Sequence, residues 1–208
     1  MEKPAQTTYP IHEVLERRWS PRAFDTRPIE PEKLRSLFEA ARWTASSSNE
    51  QPWYFILACR SNPEDFEKAA ACLVPGNRAW AQNAPALIFA LARTAFVKND
   101  RPNRVALYDL GQAVANLVMQ ATSLGLSVHQ MAGIEVEAVR ETYGIPAEFE
   151  PVTAMAIGYP GDPESLPEDL RRRELAPRSR KSFDKFVFSR HWDIASPLLN
   201  GKADSLRR

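Results

Sequence analysis

Residues 110–134 contain no Asp, Glu, Lys or Arg, although 25% of the side chains in this 208-residue chain are charged. Such a stretch has to be buried, either in a bilayer or against protein. A bilayer span needs ~20 mostly apolar residues, and the amides of Gln112 and Gln120 do not suit one. Because apolar residues instead recur every three or four positions, the pattern predicts a helix from Asp109 to Gly125, buried in the core or against a partner subunit.

Two short runs, 54–59 and 86–92, are apolar at every position. Runs of this kind are typical of strands in the middle of a sheet that is covered on both faces by helices. The remaining patterns predict helices over 11–18, from Pro31 to the polar segment 44–49, 63–72 and 135–143, and further strands over 127–131 and 152–157. We therefore expect an α+β sandwich, with helices around a small mixed β-sheet.

The composition changes after Gly161. Residues 161–182 are rich in Pro and Arg and show no periodic apolar face, whereas 183–192 carry three phenylalanines and a tryptophan. This combination favours an extended C-terminal arm over 161–208 that docks on another surface, rather than a second domain. We expect one domain over residues 1–208.

The overall composition excludes several classes of protein. The net charge of +1 does not provide the basic surface that nucleic-acid binding needs. The two cysteines and three histidines are too few and too scattered for a disulfide framework or a metal site. The first residues lack the apolar core of a signal peptide, so we expect a cytoplasmic protein without a membrane anchor or a metal.

The first of three polar clusters is Arg-Trp-Ser-Pro-Arg at 18–22. Two guanidinium groups flank a hydroxyl at the predicted end of a helix, and guanidinium groups bind a phosphate monoester well. The same five residues also fit a surface turn with two solvated arginines, which is the better interpretation for this cluster alone.

The other two clusters are a polar loop and a basic segment. Residues 46–53 read Ser-Ser-Ser-Asn-Glu-Gln-Pro-Trp, which could hydrogen-bond a planar heterocycle or form an ordinary polar turn. Residues 178–183 read Arg-Ser-Arg-Lys-Ser-Phe, either part of a site or solubilising charge on a tail. Gly125 and Gly133 bracket a segment where backbone could approach a flat ligand, or they are turn residues. With no catalytic triad, phosphate loop or dinucleotide fingerprint, an enzyme of this kind would need a cofactor.

Taken in chain order, these features resemble the nitroreductase family of FMN flavoproteins. Residues 18–24 match the family's Arg-x-Ser/Thr-x-Arg/Lys followed by Phe, and 45–53 match its Pro-Ser-Ser-x-Asn-x-Gln-Pro-Trp segment, with Ala45 in place of Pro. Further matches are Ala-Pro at 84–85, Asp-Leu-Gly at 109–111, Leu-Gly-Leu at 124–126 and Arg-Ser-Arg at 178–180. The matches extend from about residue 11 to 192, and the change at Ala45 removes no hydrogen-bonding side chain.

The resemblance implies a homodimer with two equivalent FMN sites between the subunits. Arg18, Ser20, Arg178 and Arg180 would hold the FMN phosphate, and Arg22 would lie near the N1–O2 edge of the ring. The backbone of 130–133 would face the N5–O4 edge. Ser46, Ser47 and Asn49 would come from the opposite subunit. The cofactor-binding residues expected in this way are Arg18, Trp19, Ser20, Arg22, Ser46, Ser47, Asn49, Gln51, Gln130, Met131, Ala132, Gly133, Arg178 and Arg180.

The activity implied by the resemblance is electron transfer from NADH or NADPH through FMN to a small acceptor such as a nitroaromatic or a quinone. Donor and acceptor would use one site in turn, giving ping-pong kinetics, and flavin N5 rather than a catalytic side chain would carry the chemistry. Residues 63–80 and 94–107 would shape the mouth of the pocket. Trp80 and Phe96 are candidates for stacking on a flat substrate, although core packing explains each of them better.

Three alternatives stay open. The chain could be a specialised flavin enzyme of the same fold, of the dehalogenase or enone reductase type. It could bind FMN without catalysing a reaction. A nucleic-acid-binding module that uses the arginine-rich arm is the third alternative, which the low net charge disfavours.

Overall fold

The computed structural model describes residues 2–199, and its centre is a four-stranded antiparallel sheet. The strands are β1 (Trp53–Cys59), β2 (Ala86–Arg93), β3 (Ser127–Met131) and β4 (Phe149–Gly158), in the order β1-β2-β4-β3. β1 pairs with β2 from Trp53 opposite Ala92 to Cys59 opposite Ala86. The order leaves β1 and β3 at the two edges of the sheet.

Seven α-helices pack around this sheet in the described residues. They are α1 (Glu13–Arg17), α2 (Pro31–Arg42), α3 (Pro63–Ala71), α4 (Pro75–Ala81), α5 (Ala106–Ser123), α6 (Val136–Tyr143) and α7 (Glu168–Leu175). Proline occupies the first position of α2, α3 and α4, where its missing N–H costs no hydrogen bond and its fixed φ suits the helix.

Both faces of the central strand β2 are buried. Leu87, Phe89 and Leu91 point into a core layer with α3, α4, α6 and α7, whereas Ile88 and Ala90 point into a second layer with α2 and α5. Full burial of each large side chain contributes about 2 kcal/mol. The predicted α+β sandwich, with helices on both faces of the sheet, is therefore confirmed.

Helix α5 occupies the uncharged stretch and is buried along one side only. Its apolar face packs on α2 and on the sheet, whereas Tyr108, Gly111 and Ala115 lie on its exposed face. The prediction of a helix buried within protein is confirmed. Among the residues that the structure describes, no helix is long and apolar enough to cross a membrane.

The prediction of a mixed sheet is wrong, because every strand pair in the described chain is antiparallel. Helix α5 connects opposite ends of the sheet, so β2 and β3 run in the same direction. They do not pair with each other, because β4 lies between them and is antiparallel to both. The prediction that both apolar runs are central is wrong for β1, an edge strand whose Tyr54 is 44% exposed.

The predicted arm contains a helix that the sequence pattern did not indicate. α7 buries Leu170 and Glu174, four positions apart on one face. One leucine and one glutamate do not form an apolar stripe, so the sequence of 161–182 predicts an extended segment instead. A single domain over 1–208 stays a prediction, and its last residues, 200–208, lie outside the described ones.

Candidate functional site

Four of the predicted site residues come together at the end of α1. The guanidinium of Arg18 donates to Ser20 Oγ over 3.0 Å. Arg178, far along the chain, donates to the carbonyl of Glu16 over 3.0 Å. Burial, and then the positive charges of Arg178 and Arg180, lower the pKa of Arg18. The fold therefore concentrates positive charge around the hydroxyl of Ser20.

We call this group of Arg18, Ser20, Arg178 and Arg180 the cation cluster. Within residues 2–199, none of its three arginines is in an ion pair. Arg18 lines a cavity of about 130 Å³ together with Trp19, a half-buried ring that the Lys3 ammonium approaches to 4.9 Å. Partly buried guanidinium groups without a counter-charge are unfavourable until an anion joins them, so the cluster has the chemistry of an anion site.

Glu174 is a site residue that sequence reasoning missed. Its side chain is 1% exposed and accepts hydrogen bonds from the backbone N–H of Arg22 at 2.9 Å and of Ala23 at 3.2 Å. The guanidinium of Arg22 lies 4.0 Å from the same carboxylate. Glu174 thus fixes the backbone that follows Ser20 and holds Arg22 beside the cation cluster. No apolar pattern marks it, because Glu174 occupies the position, four residues after Leu170 on the buried face of α7, where an apolar residue would be expected.

His129 on β3 packs behind the same segment. Its Nδ1 lies 2.8 Å from the carbonyl of Pro21, and since a carbonyl only accepts, Nδ1 carries the proton. Its ring lies 4.5 Å from that of Trp80. Burial, together with the charges of Arg22 and Arg18, lowers the pKa of His129 to about 4. The imidazole is therefore neutral at pH 7.

The depressed pKa of His129 predicts acid sensitivity. Between the usual pKa of 6.5 and the folded value of about 4, the unfolded chain binds a proton that the folded protein does not. The free energy of unfolding should therefore fall as the pH is lowered through this window, and the contribution of His129 should be constant below it. Urea unfolding at pH 7 and pH 5 tests this, with His129→Gln as the non-titrating control. Equal losses in the variant and in the parent protein would contradict the prediction.

The polar loop before β1 has an unusual backbone. Ser48, Asn49 and Gln51 have φ of 55°, 56° and 51°, in the left-handed region that non-glycine residues rarely occupy. Backbone in this region costs of order 1 kcal/mol per residue and persists where surrounding contacts impose it. The N–H of Gln51 donates to Ser46 Oγ over 3.0 Å, and Gln51 Nε2 donates to the carbonyl of Asn49. The loop thus has a fixed shape that leaves the Asn49 side chain exposed.

A buried carboxylate ties this loop to the start of α5. The N–H of Ser47 donates over 3.0 Å to Asp109, which is 3% exposed. The cavity at Arg18, by contrast, is lined by Thr122, near the other end of the same helix. Thirteen residues at ~1.5 Å each separate these positions by about 20 Å. Within one chain the polar loop and the cation cluster therefore lie far apart and do not form one site.

The segment after β3 packs closely against α4. The carbonyl of Gly133 accepts from the N–H of Val74 and from Asn77 Nδ2, at 3.3 and 3.0 Å. A Cβ at Gly133 would lie 2.6 Å from that nitrogen and 2.7 Å from Val74 Cγ2, so a larger residue would displace the Asn77 and Val74 side chains. Met131 is buried, pairs with Ala154 of β4, and accepts at its carbonyl from Thr153 Oγ1, so it is held within the sheet.

Gln130 and Ala132 are exposed beside this segment. Within the described residues the N–H groups of Ala132 and Gly133 donate to no protein acceptor, so both are available to a ligand. Trp80 is 2% exposed and stacks on Phe24, so the structure shows the core packing that the sequence favoured and not a substrate contact. Phe96 is half-buried and stays a prediction.

Comparison with known proteins adds a family and several relatives. A sequence model of the nitroreductase family matches residues 15–159. An uncharacterised 15.4 kDa protein of Mycolicibacterium smegmatis is 34% identical over 129 residues, which are 62% of this chain and 85% of that protein. A protein of Archaeoglobus fulgidus, provisionally named NADH dehydrogenase/NAD(P)H nitroreductase, is 28% identical over 73% of this chain and 86% of its own length.

Solved structures agree with these matches. A structure described as an oxidoreductase containing FMN is 36% identical, superposes with a TM-score of 0.85 and covers 90% of this chain and 95% of its own. A nitroreductase family protein from Streptococcus pneumoniae, 21% identical, superposes with a TM-score of 0.68 over 86% of this chain and 98% of its own. The second likeness concerns the fold alone.

Proposed function

This chain belongs to the nitroreductase family, and on that premise we propose that it is an FMN-dependent oxidoreductase that passes electrons from NADH or NADPH to a small acceptor such as a nitroaromatic or a quinone. The observation that carries the proposal is the cation cluster, in which partly buried guanidinium groups lie close together and, within residues 2–199, are in no ion pair. The free thiols of Cys59 and Cys72 support a reducing cytoplasm as its location.

The residues present fit FMN. A terminal phosphate dianion would supply the counter-charge that Arg18, Arg178 and Arg180 lack, through charge-assisted hydrogen bonds. Ser20, held by Arg18, would add a hydroxyl. Bound FMN supplies two-electron chemistry by accepting a hydride and releasing the electrons to an acceptor. The chain's own residues bind and orient the cofactor, and no side chain is proposed as catalytic.

The ring would lie between the cation cluster and groups from a second chain. Arg22 and the free N–H groups after β3 belong to the same half-site as the cation cluster. The loop with Ser46, Ser47, Asn49 and Gln51 lies about 20 Å away in the same chain, so a partner copy would supply it. We propose a homodimer in which each site takes one half from each subunit.

Exposed apolar surface supports the homodimer. The outward face of α5, with Tyr108, Gly111 and Ala115, carries no charge. In the C-terminal arm, Phe186 and Trp192 are 55% and 86% exposed. Apolar surface of this extent usually marks a protein interface. The proposed arm would therefore dock on the partner subunit.

Purified protein tests the proposal. It should be a dimer with the visible absorption of an oxidised flavin, and that absorption should bleach when NADH or NADPH is added without oxygen. Parallel double-reciprocal lines with a nitroaromatic or quinone acceptor would support one shared site. A colourless protein that FMN cannot load would overturn the proposal. Flavin that no nicotinamide reduces would instead favour a non-catalytic FMN protein, and a narrow acceptor range would favour a specialised enzyme.

Arg22 provides a prediction about the flavin itself. Its guanidinium would stabilise the negative charge of reduced FMN at the N1–O2 edge, so Arg22→Ala should weaken FMN binding and lower its reduction potential. One charge-assisted bond of ~1.5–3 kcal/mol corresponds to roughly a tenfold or greater loss of affinity. Arg35→Ala, which removes an exposed arginine from α2, is the matched control. Full flavin content and an unchanged potential in Arg22→Ala would contradict the assignment.

A further inference from the structure

The segment 2–5 lies against the C-terminal arm, outside the residues that match the family. The Lys3 ammonium donates to two backbone carbonyls at the end of α7, those of Glu174 at 2.6 Å and Ala176 at 2.5 Å. A cation at a helix C-terminus is favoured by the helix dipole and satisfies carbonyls that have no partner within the helix. The N–H of Ala5 donates to the carbonyl of Glu16 over 2.9 Å, which fixes the segment to α1 as well.

The same segment holds an arginine of the cation cluster. Arg178 Nη1 donates to the carbonyl of Lys3 over 2.6 Å and to that of Glu16 over 3.0 Å. Lys3 therefore contacts the arm in two ways. Its ammonium binds the carbonyls of Glu174 and Ala176, and its own carbonyl accepts from Arg178. These neutral acceptors orient the guanidinium without neutralising it, so its charge stays available to an anion.

A carboxylate in this position would have the opposite effect. An Asp or Glu beside Arg178 would hold the side chain equally well but would cancel its charge. Burial, and then Arg180, lower the pKa of Arg178, as expected for a cation kept close to another cation. The Lys3 charge faces Glu174, Arg178 and Arg22, so the segment also adds a cation at the edge of the cluster.

We propose that Lys3 is a positioning residue of the anion site, and that the segment 2–5 orders Arg178 for the phosphate of FMN. This inference rests on the proposed function and adds to it a part of the chain that the family match does not include. It makes a specific claim: loss of Lys3 should affect recognition of the phosphate and not of the flavin ring.

The proposal is tested by fluorescence titration of the flavin-free protein, which measures its affinity for FMN and for riboflavin, a flavin that lacks the phosphate. We expect Lys3→Met to weaken FMN about tenfold and to leave riboflavin unchanged, since about one charge-assisted bond is misplaced. Lys3→Arg, which can still donate to both carbonyls, should restore most of the FMN affinity. Lys181→Ala, an equal change of charge at an exposed position of the same arm, should have little effect.

The possible outcomes separate the inference from the function. If Lys3→Met binds FMN as tightly as the parent protein, or weakens FMN and riboflavin equally, Lys3 has no role at the phosphate. If Lys181→Ala loses as much FMN affinity as Lys3→Met, the effect is one of net charge and the positioning role is overturned. If the parent protein binds neither flavin, the proposed function fails, and the inference fails with it.

Discussion

Replacing Glu174 with alanine should lower the free energy of unfolding by about 3 kcal/mol, because it removes a buried carboxylate that accepts several backbone hydrogen bonds. The N–H groups of Arg22 and Ala23 would lose their acceptor, and Arg22 would lose its counter-ion. For a chain of this length the thermal midpoint should fall by roughly 10 °C. Thermal and urea unfolding followed by circular dichroism would measure both quantities.

Two further variants show which property of Glu174 matters. Glu174→Gln keeps one acceptor oxygen, but it loses the charge and places an N–H₂ group opposite the backbone donors. It should therefore lower the free energy of unfolding, by less than Glu174→Ala does. Glu168→Ala on the same helix removes a side chain that is 78% exposed, and it should cost below about 1 kcal/mol. A Glu174→Ala protein as stable as Glu168→Ala would show that the buried carboxylate does not hold the 20–24 segment.

Glu174 also marks where sequence reasoning about the fold stops. β2 and α5 were predictable because each shows one long pattern. Apolar residues occupy every position of the β2 strand, and they recur every three or four positions in the α5 helix. α7 was not, because a buried glutamate replaces the leucine that the pattern would need. The edge position of β1 was equally hidden, since side-chain patterning records which faces are covered and not which backbone edge is paired.

The candidate site divides in a similar way. Arg18, Ser20, Arg178 and Arg180 were predicted together from motif order, and the fold brings them together within one chain. Ser46, Ser47 and Asn49 are predicted to come from the partner subunit; the position of their loop at the far end of α5 is consistent with that assignment, which stays a prediction. The left-handed backbone of that loop was not predictable, because Ser and Gln seldom adopt it and only the surrounding contacts impose it.

Arg18→Ala should weaken FMN binding without lowering the stability of the flavin-free protein. In the absence of a ligand, burial and then two nearby like charges lower the pKa of Arg18, so its removal should leave the flavin-free protein equally stable or more stable. In the presence of FMN the same guanidinium would contact the phosphate, and its loss should weaken binding about 100-fold. Thermal unfolding without flavin and FMN titration at low salt would measure the two effects.

Salt and a neighbouring residue provide the controls for Arg18. Because the interaction is electrostatic and partly exposed to solvent, the difference in FMN affinity between Arg18→Ala and the parent protein should narrow at high ionic strength. Arg17→Ala removes an equal charge from an exposed position that is paired with Glu13, and it should change FMN affinity by less than about twofold. If Arg18→Ala instead unfolds several degrees earlier and binds FMN normally, Arg18 serves the fold and not an anion. The cation cluster would then no longer support a flavin phosphate at this position.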